Sequence, residues 1–417
     1  WPPCSSGGLA PAICWLSIGA TGSMTISQLG LSSNEMPLAT CVLAALALLV
    51  PVCAAPLPRA AGRRVLLAGF LCGLAAGLKP TAIIHVPALG LALLLATHGR
   101  GVSLRFGTYF AVAAATGFLL AYGWWGWELY RLTGNPVFPL FNQVFHSDWV
   151  PATGGTDRQF MPRNLWQWLL YPWFWLSPRS GLVTETTFAD PRYALAMLAL
   201  VAAGITAWRR RMQRESADRA TTLLVAFVVL AYGAWLGLFS ILRYALPIEA
   251  LTGLLLWLAV LRWLPAASTR VTSTCMLFLF VLLAGFTRYP SWGHVAYASR
   301  AFAVDAPGIA PDTLVLVIDQ PLAYVIPFLP QATSGRYVGL TWFNDQAADR
   351  RLGRLTRQAI RDHAGPVRAL LAGEPEAALA VLRRWAPTAR IEGPCQPVTS
   401  ALERGARRLW LCDVHRE

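Results

Sequence analysis

Long apolar runs separated by short basic connections dominate the first 290 or so residues. Nine runs, at about 9–30, 36–55, 65–80, 81–97, 106–127, 193–208, 220–241, 245–263 and 271–287, match or approach the length that crosses about 30 Å of hydrocarbon at about 1.5 Å per residue. Their apolar positions continue round the helix, whereas a soluble amphipathic helix keeps them to one stripe. The run 9–30 is the weakest, being rich in Ser, Thr and Gly. Beyond 288 the pattern changes. TLVLVID (313–319), VRALLAG (367–373) and RLWLCDV (408–414) read as buried strands, and 347–363 and 375–385 between them read as helices. This alternation predicts a small α/β domain with a largely parallel sheet. The predicted fold is therefore an α-helical multi-pass membrane protein of about nine spans with a small exoplasmic α/β C-terminal domain. Its parts are 1–130, a long loop 131–192, 193–287 and 288–417. Within the loop, RNLWQWLLYPWFWLSPRS (163–180) suits an aromatic helix in the membrane interface, either as a plain anchor or in contact with substrate.

Composition agrees: 55% of residues are hydrophobic and 13% charged, against about a quarter charged in a soluble domain. Charge adds orientation. Arg59, Arg63 and Arg64, then Arg100 and Arg105, then Arg209, Arg210, Arg211, Arg214 and Arg219, then Arg262 and Arg270 fill four alternate short connections, while the opposite short ones hold only Lys79 and Arg243. By the positive-inside rule the arginine-rich side is cytoplasmic, which places the long loop and the tail outside. The net charge of +14 is then mostly topology and a basic tail, and nucleic acid is not an expected partner. The chain starts at Trp1 without an initiator Met, and WPPCSSGGLAP lacks the basic region of a signal peptide, so we expect further sequence upstream. Six cysteines lie in or beside apolar runs; Cys395 and Cys412 lie in the tail, open to pairing in an oxidising compartment. Nothing in the sequence has metal-ligand spacing.

Polar residues near the outer ends of the spans are the candidate site, because a charge left in hydrocarbon costs about 2.5–3.5 kcal/mol on insertion scales. They are Glu35, Lys79, His85, Arg243, Tyr244 and Glu249, with Asn135, Asp157 and Arg158 in the long loop. Lys79 is the chain's sole lysine. Three roles are open to it: snorkelling to lipid phosphates, neutralising Glu35 or Glu249, or holding an anionic headgroup with Arg243 as a bidentate partner. Glu249 reads as a base or as a paired structural carboxylate, His85 as a packing residue or a proton carrier, and Asn135 most simply as a turn residue. Asp157 and Arg158, like Asp190 and Arg192, read as solvated loop charges or as pairs that close the loop.

GLAAGLKPT, TGNPVFPLFN and RYALP, in that order between membrane helices, resemble bacterial members of the GT-C superfamily. These are integral-membrane glycosyltransferases using polyprenyl-phosphate sugars, such as protein mannosyltransferases and lipid A aminoarabinose transferases. The resemblance covers roughly residues 9–290. It implies a lipid-linked sugar as donor, a glycan, lipid or protein as acceptor, Lys79 and Arg243 as phosphate ligands, and Glu35 as the acidic residue of the second exoplasmic loop. Family members work with or without a divalent metal; here the lone carboxylate in SSNEMP lacks a neighbouring Asp to complete a metal pair. The principal catalytic aspartate of the family lies in the first exoplasmic loop. The topology above makes 9–30 the third family helix, so that aspartate is expected upstream of Trp1. The competing class is a non-enzymatic transporter or anionic-lipid-handling protein whose outward cavity recognises an anionic lipid; transport predicts ionisable residues in both halves of the membrane.

Overall fold

The computed structural model describes residues 9–54, 56–99, 101–152, 159–212, 218–264, 268–293, 296, 299–318, 322–330, 335–403 and 408–416. Two compact units emerge, one of Trp1–Trp125 with Asp157–Gly293 and the other of Gly126–Thr156 with His294–Glu417. The long loop is thus shared between them, dividing near residue 156.

The first unit is helical. It contains α1 (Leu9–Ala20), α2 (Ser23–Ser27), α3 (Glu35–Leu49), α4 (Ala61–Leu78), α5 (His85–Thr97) and most of α6 (Ser103–Thr133). After α7 (Asn142–Phe145), which belongs to the second unit, come α8 (Leu165–Leu170), α9 (Arg192–Met212), α10 (Arg219–Leu238), α11 (Leu246–Trp263) and α12 (Thr269–Phe286). Among the described residues seven helical stretches are long and apolar enough to cross a membrane: Glu35–Cys53, Ala61–Leu78, Pro80–Thr97, Ser103–Thr133, Arg219–Leu238, Leu242–Trp263 and Thr269–Phe286. The two other predicted runs give shorter apolar helices. In α9 the apolar part is Arg192–Ala207. The run 9–30 is interrupted between α1 and α2, where Glu249 of α11 takes the place of a helical carbonyl by accepting the Met24 and Thr25 N–H groups at 3.0 and 2.7 Å. Gly22 leaves room for that carboxylate, since a Cβ there would lie 2.0 Å from Glu249 Cδ.

Close packing in this unit rests on small residues. Gly69, Gly73 and Gly77 form one face of α4, and a Cβ on Gly73 would stand 1.9 Å from the Ala114 carbonyl oxygen of α6. Without a hydrophobic drive between helices in lipid, such backbone approach is what lets them associate. The aromatic stretch 163–180 splits. Trp166 and Trp168 of α8 face outward, whereas Trp175 is buried among Tyr171, Phe188, Tyr193 and Trp235. The Tyr171 hydroxyl lies 2.7 Å from the carbonyls of Phe160 and of Leu182, and burial pushes its phenol up to about 12, so it remains a donor.

The second unit centres on a sheet of β1 (Leu314–Ile318), β2 (Arg336–Leu340), β3 (Val367–Ala372), β4 (Arg390–Val398) and β5 (Leu409–His415), in the order β2-β1-β3-β5-β4. Its helices are α13 (Trp342–Gln346), α14 (Arg351–Arg361) and α15 (Pro375–Trp385). The predicted strands and helices occur at the predicted places, but the sheet is mixed. β2, β1 and β3 are parallel, while β5 runs antiparallel to both β3 and β4. Cys395 of β4 and Cys412 of β5 are disulfide-bonded.

Candidate functional site

Three short backbone breaks place the candidate side chains. Glu35 is the first residue of α3. Lys79 ends α4 in extended conformation because Pro80 cannot continue the helix and disfavours α geometry before it. His85 begins α5 after the 3₁₀ turn Pro80–Ile84. Arg243 and Tyr244 lie in the 3₁₀ turn Leu242–Ala245, fixed by Trp235 Nε1 donating to Ile241 O at 2.7 Å and Leu242 N donating to Val183 O at 2.8 Å.

These breaks converge on one carboxylate. Lys79 Nζ stands 2.5 Å from Glu35 Oε1, and Arg243 Nε stands 3.3 Å from the same oxygen. Glu35 is buried while both cations are partly exposed. The Tyr244 ring lies beside both cations, with Lys79 Nζ 5.1 Å and Arg243 Cζ 5.3 Å from its centroid. Two positive charges thus share one buried carboxylate, and Glu185 is a further negative charge near Arg243. A cavity of about 20 Å³, bounded by Glu35, His85, Arg243 and Tyr244, adjoins it.

A second cavity, apolar and about 470 Å³ in volume, lies between α1, α2, α3, α10 and α11. Ala39 and Leu246 form part of the wall of both cavities. Along α3 and one residue past its end the apolar cavity is lined from Met36 to Val50, about 21 Å at about 1.5 Å per residue. An anionic head and a long apolar tail have adjacent places here. Sequence reasoning picked out the head but not the tail, because the lining residues are spread over five helices.

The remaining candidates have other surroundings. Glu249 is fully buried and accepts from Thr25 Oγ1 at 2.6 Å and Tyr193 Oη at 2.5 Å besides the two backbone N–H groups of α2. This is the structural one of its two expected roles. Asp190 and Arg192, far from being solvated, are buried and paired at 2.7 Å, with Arg192 Nη1 also donating to Ile18 O and Asp190 accepting from Ser23 N. Asn135 is buried within its own turn: its amide donates to Leu140 O and its carbonyl accepts from Val137 N, both at 2.9 Å. Asp157 and Arg158 lie outside the described residues.

No group of three or more His, Cys, Asp or Glu among the described residues is arranged to hold a metal ion. Glu35 in particular has cations for neighbours, a donor set that repels a divalent metal. Comparison with protein-family models, with curated proteins and with solved structures gave no match.

Proposed function

We propose that the chain is a membrane glycosyltransferase of GT-C type, moving a sugar from a polyprenyl-phosphate donor to an acceptor on the periplasmic side of a bacterial inner membrane. The reading rests on one observation: the Glu35–Lys79–Arg243 cluster and the long apolar cavity share a wall at Ala39 and Leu246. That pairing of sites suits an amphiphile with an anionic phosphate and a long apolar tail. Nine spans and an outer position for the sheet domain belong to the same reading.

Lys79 and Arg243 hold the donor phosphate, and Glu35 is the anion they bind before it arrives. Phosphate takes over both cations, and the freed carboxylate accepts the proton of the acceptor hydroxyl. The hydroxyl oxygen then bonds to the anomeric carbon, the carbon–oxygen bond to phosphate breaks, and the phosphate leaves with the electron pair. Clustered cations stabilise that departing charge, the largest electrostatic demand of the step.

The test uses full-length protein in liposomes with a polyprenyl-phosphate-linked sugar, following release of polyprenyl phosphate. Release by the wild type and its loss in Lys79→Met support transfer. Tight binding without release under any acceptor favours the lipid-handling alternative, and neither binding nor release removes both.

A further inference from the structure

We propose that an arginine-lined groove on α14 binds the phosphate groups of anionic membrane lipids, at a site separate from the Glu35 cluster. The groove encloses about 560 Å³ and is lined by Arg351, Arg354, Arg357 and Arg361 together with Asp148 and Leu355. Its carboxylates do not balance its cations. Arg354 reaches Asp148 only at 3.8 Å, and Arg361 pairs with Asp362 at 3.2 Å. Four guanidinium groups against these two carboxylates leave an excess of two positive charges (4 − 2).

Two of the guanidinium groups are set in position by contacts that leave their charge unneutralised. Arg351 stacks on Trp149 with Cζ 5.1 Å from the ring centroid, and Arg357 stacks on Trp385 at 5.2 Å while donating from Nη1 to Ala348 O at 2.9 Å. A planar fork held on an aromatic face loses little freedom when it binds an oxyanion, and its paired N–H groups match the two free oxygens of a phosphate diester. An open row of unheld arginines carries no such preorganisation.

The surroundings identify a lipid as the source of that phosphate. Leu355 projects among the arginines and is 41% exposed, an arrangement of apolar tip and basic flanks that suits a membrane interface. The same compact unit also includes the last turns of α6, where Trp127 and Tyr130 are exposed and lie 6.1 Å apart. Such aromatic pairs mark headgroup depth at the end of a spanning helix. The segment after α6 is fastened to α14 by Arg351 N donating to Asp148 O at 3.0 Å and Leu352 N donating to Trp149 O at 3.4 Å. The basic groove is therefore built into the unit that contains this membrane exit.

Native mass spectrometry of the full chain, released from a neutral detergent after incubation with phosphatidylglycerol or phosphatidylcholine, tests the proposal. The wild type should retain phosphatidylglycerol in preference. Arg354→Glu combined with Arg361→Glu, both on exposed positions, should weaken that retention at least tenfold. Arg354→Lys with Arg361→Lys should keep most of it, and Lys79→Met should leave this component unchanged. Equal retention by wild type and the double glutamate variant overturns the site. So does inorganic pyrophosphate binding the wild type more tightly than phosphatidylglycerol, which would assign the groove to a soluble phosphate.

Discussion

Glu35 is the residue on which the two cations of the candidate site depend in the structure seen here. Its buried carboxylate touches both Lys79 and Arg243, so any other anion must compete with it. Hydrogen bonds to charged groups are worth about 1.5–3 kcal/mol net. Glu35→Gln should therefore bind polyprenyl phosphate roughly tenfold more tightly, since about 1.4 kcal/mol is a tenfold change. The same variant should lose sugar transfer if the carboxylate takes the acceptor proton. A carboxylate serving only to hold helices together predicts the opposite, with weaker binding and a lower melting temperature. Lys79→Met should weaken binding more than Lys79→Arg, because arginine keeps the charge though not the compact ammonium. Equal affinity in the two Lys79 variants would leave neutralisation of Glu35 as the lysine's role. Binding is read in both experiments by titrating full-length protein in detergent with the polyprenyl phosphate, and transfer by release of that phosphate from the sugar-linked donor.

At the scale of elements, two features fix where these side chains stand. The glycine face of α4 lets α6 approach so closely that Gly73→Leu must push the Ala114 backbone aside. Overpacking of this kind costs about 1–3 kcal/mol, so the variant should melt earlier in detergent and bind polyprenyl phosphate less well, because Lys79 caps the same helix. Unchanged melting would mean that α4 and α6 are farther apart than described. In the sheet unit, the Cys395–Cys412 bond closes a 17-residue separation between β4 and β5. The loop-entropy account gives about 3 kcal/mol for a loop of that order. Cys395→Ser with Cys412→Ser should make the tail more open to proteolysis, and reduction should shift the wild type's mobility on a gel. The contrast between these elements explains what the sequence disclosed. β1, β3 and β5 were legible because apolar runs mark buried strands, whereas β2 (RYVGL) is half exposed and β4 (RIEGPCQPV) carries Gly393, Pro394 and Pro397 on an edge. The interruption between α1 and α2 was not legible. It is made by a carboxylate more than 220 positions away in sequence, and no local pattern reports that.

Taken whole, the helical unit separates its charges between two ends. Contacts of Glu35 with Lys79 and Arg243 bring together the start of α3, the end of α4 and the start of α11. Antiparallel continuation then sends Arg63 and Arg64 at the start of α4 and Arg262 at the end of α11 to the other end. Candidate residues that looked scattered in sequence meet because each lies at a helix end on the same side; Asn135 and Glu249 lie apart from them, one holding its own turn and the other the start of α2. The proposed orientation turns this polarity into a labelling pattern. Single cysteines introduced at the exposed positions Ser180 and Ala359 should react with a membrane-impermeant maleimide in intact cells. One introduced at Arg63 should react only after the membrane is opened, since on that orientation the arginine-rich end faces the cytoplasm. The reverse pattern would put Glu35, Lys79 and Arg243 on the cytoplasmic face, where a donor presented from the outer leaflet cannot reach them, and the glycosyltransferase reading would fall with the topology.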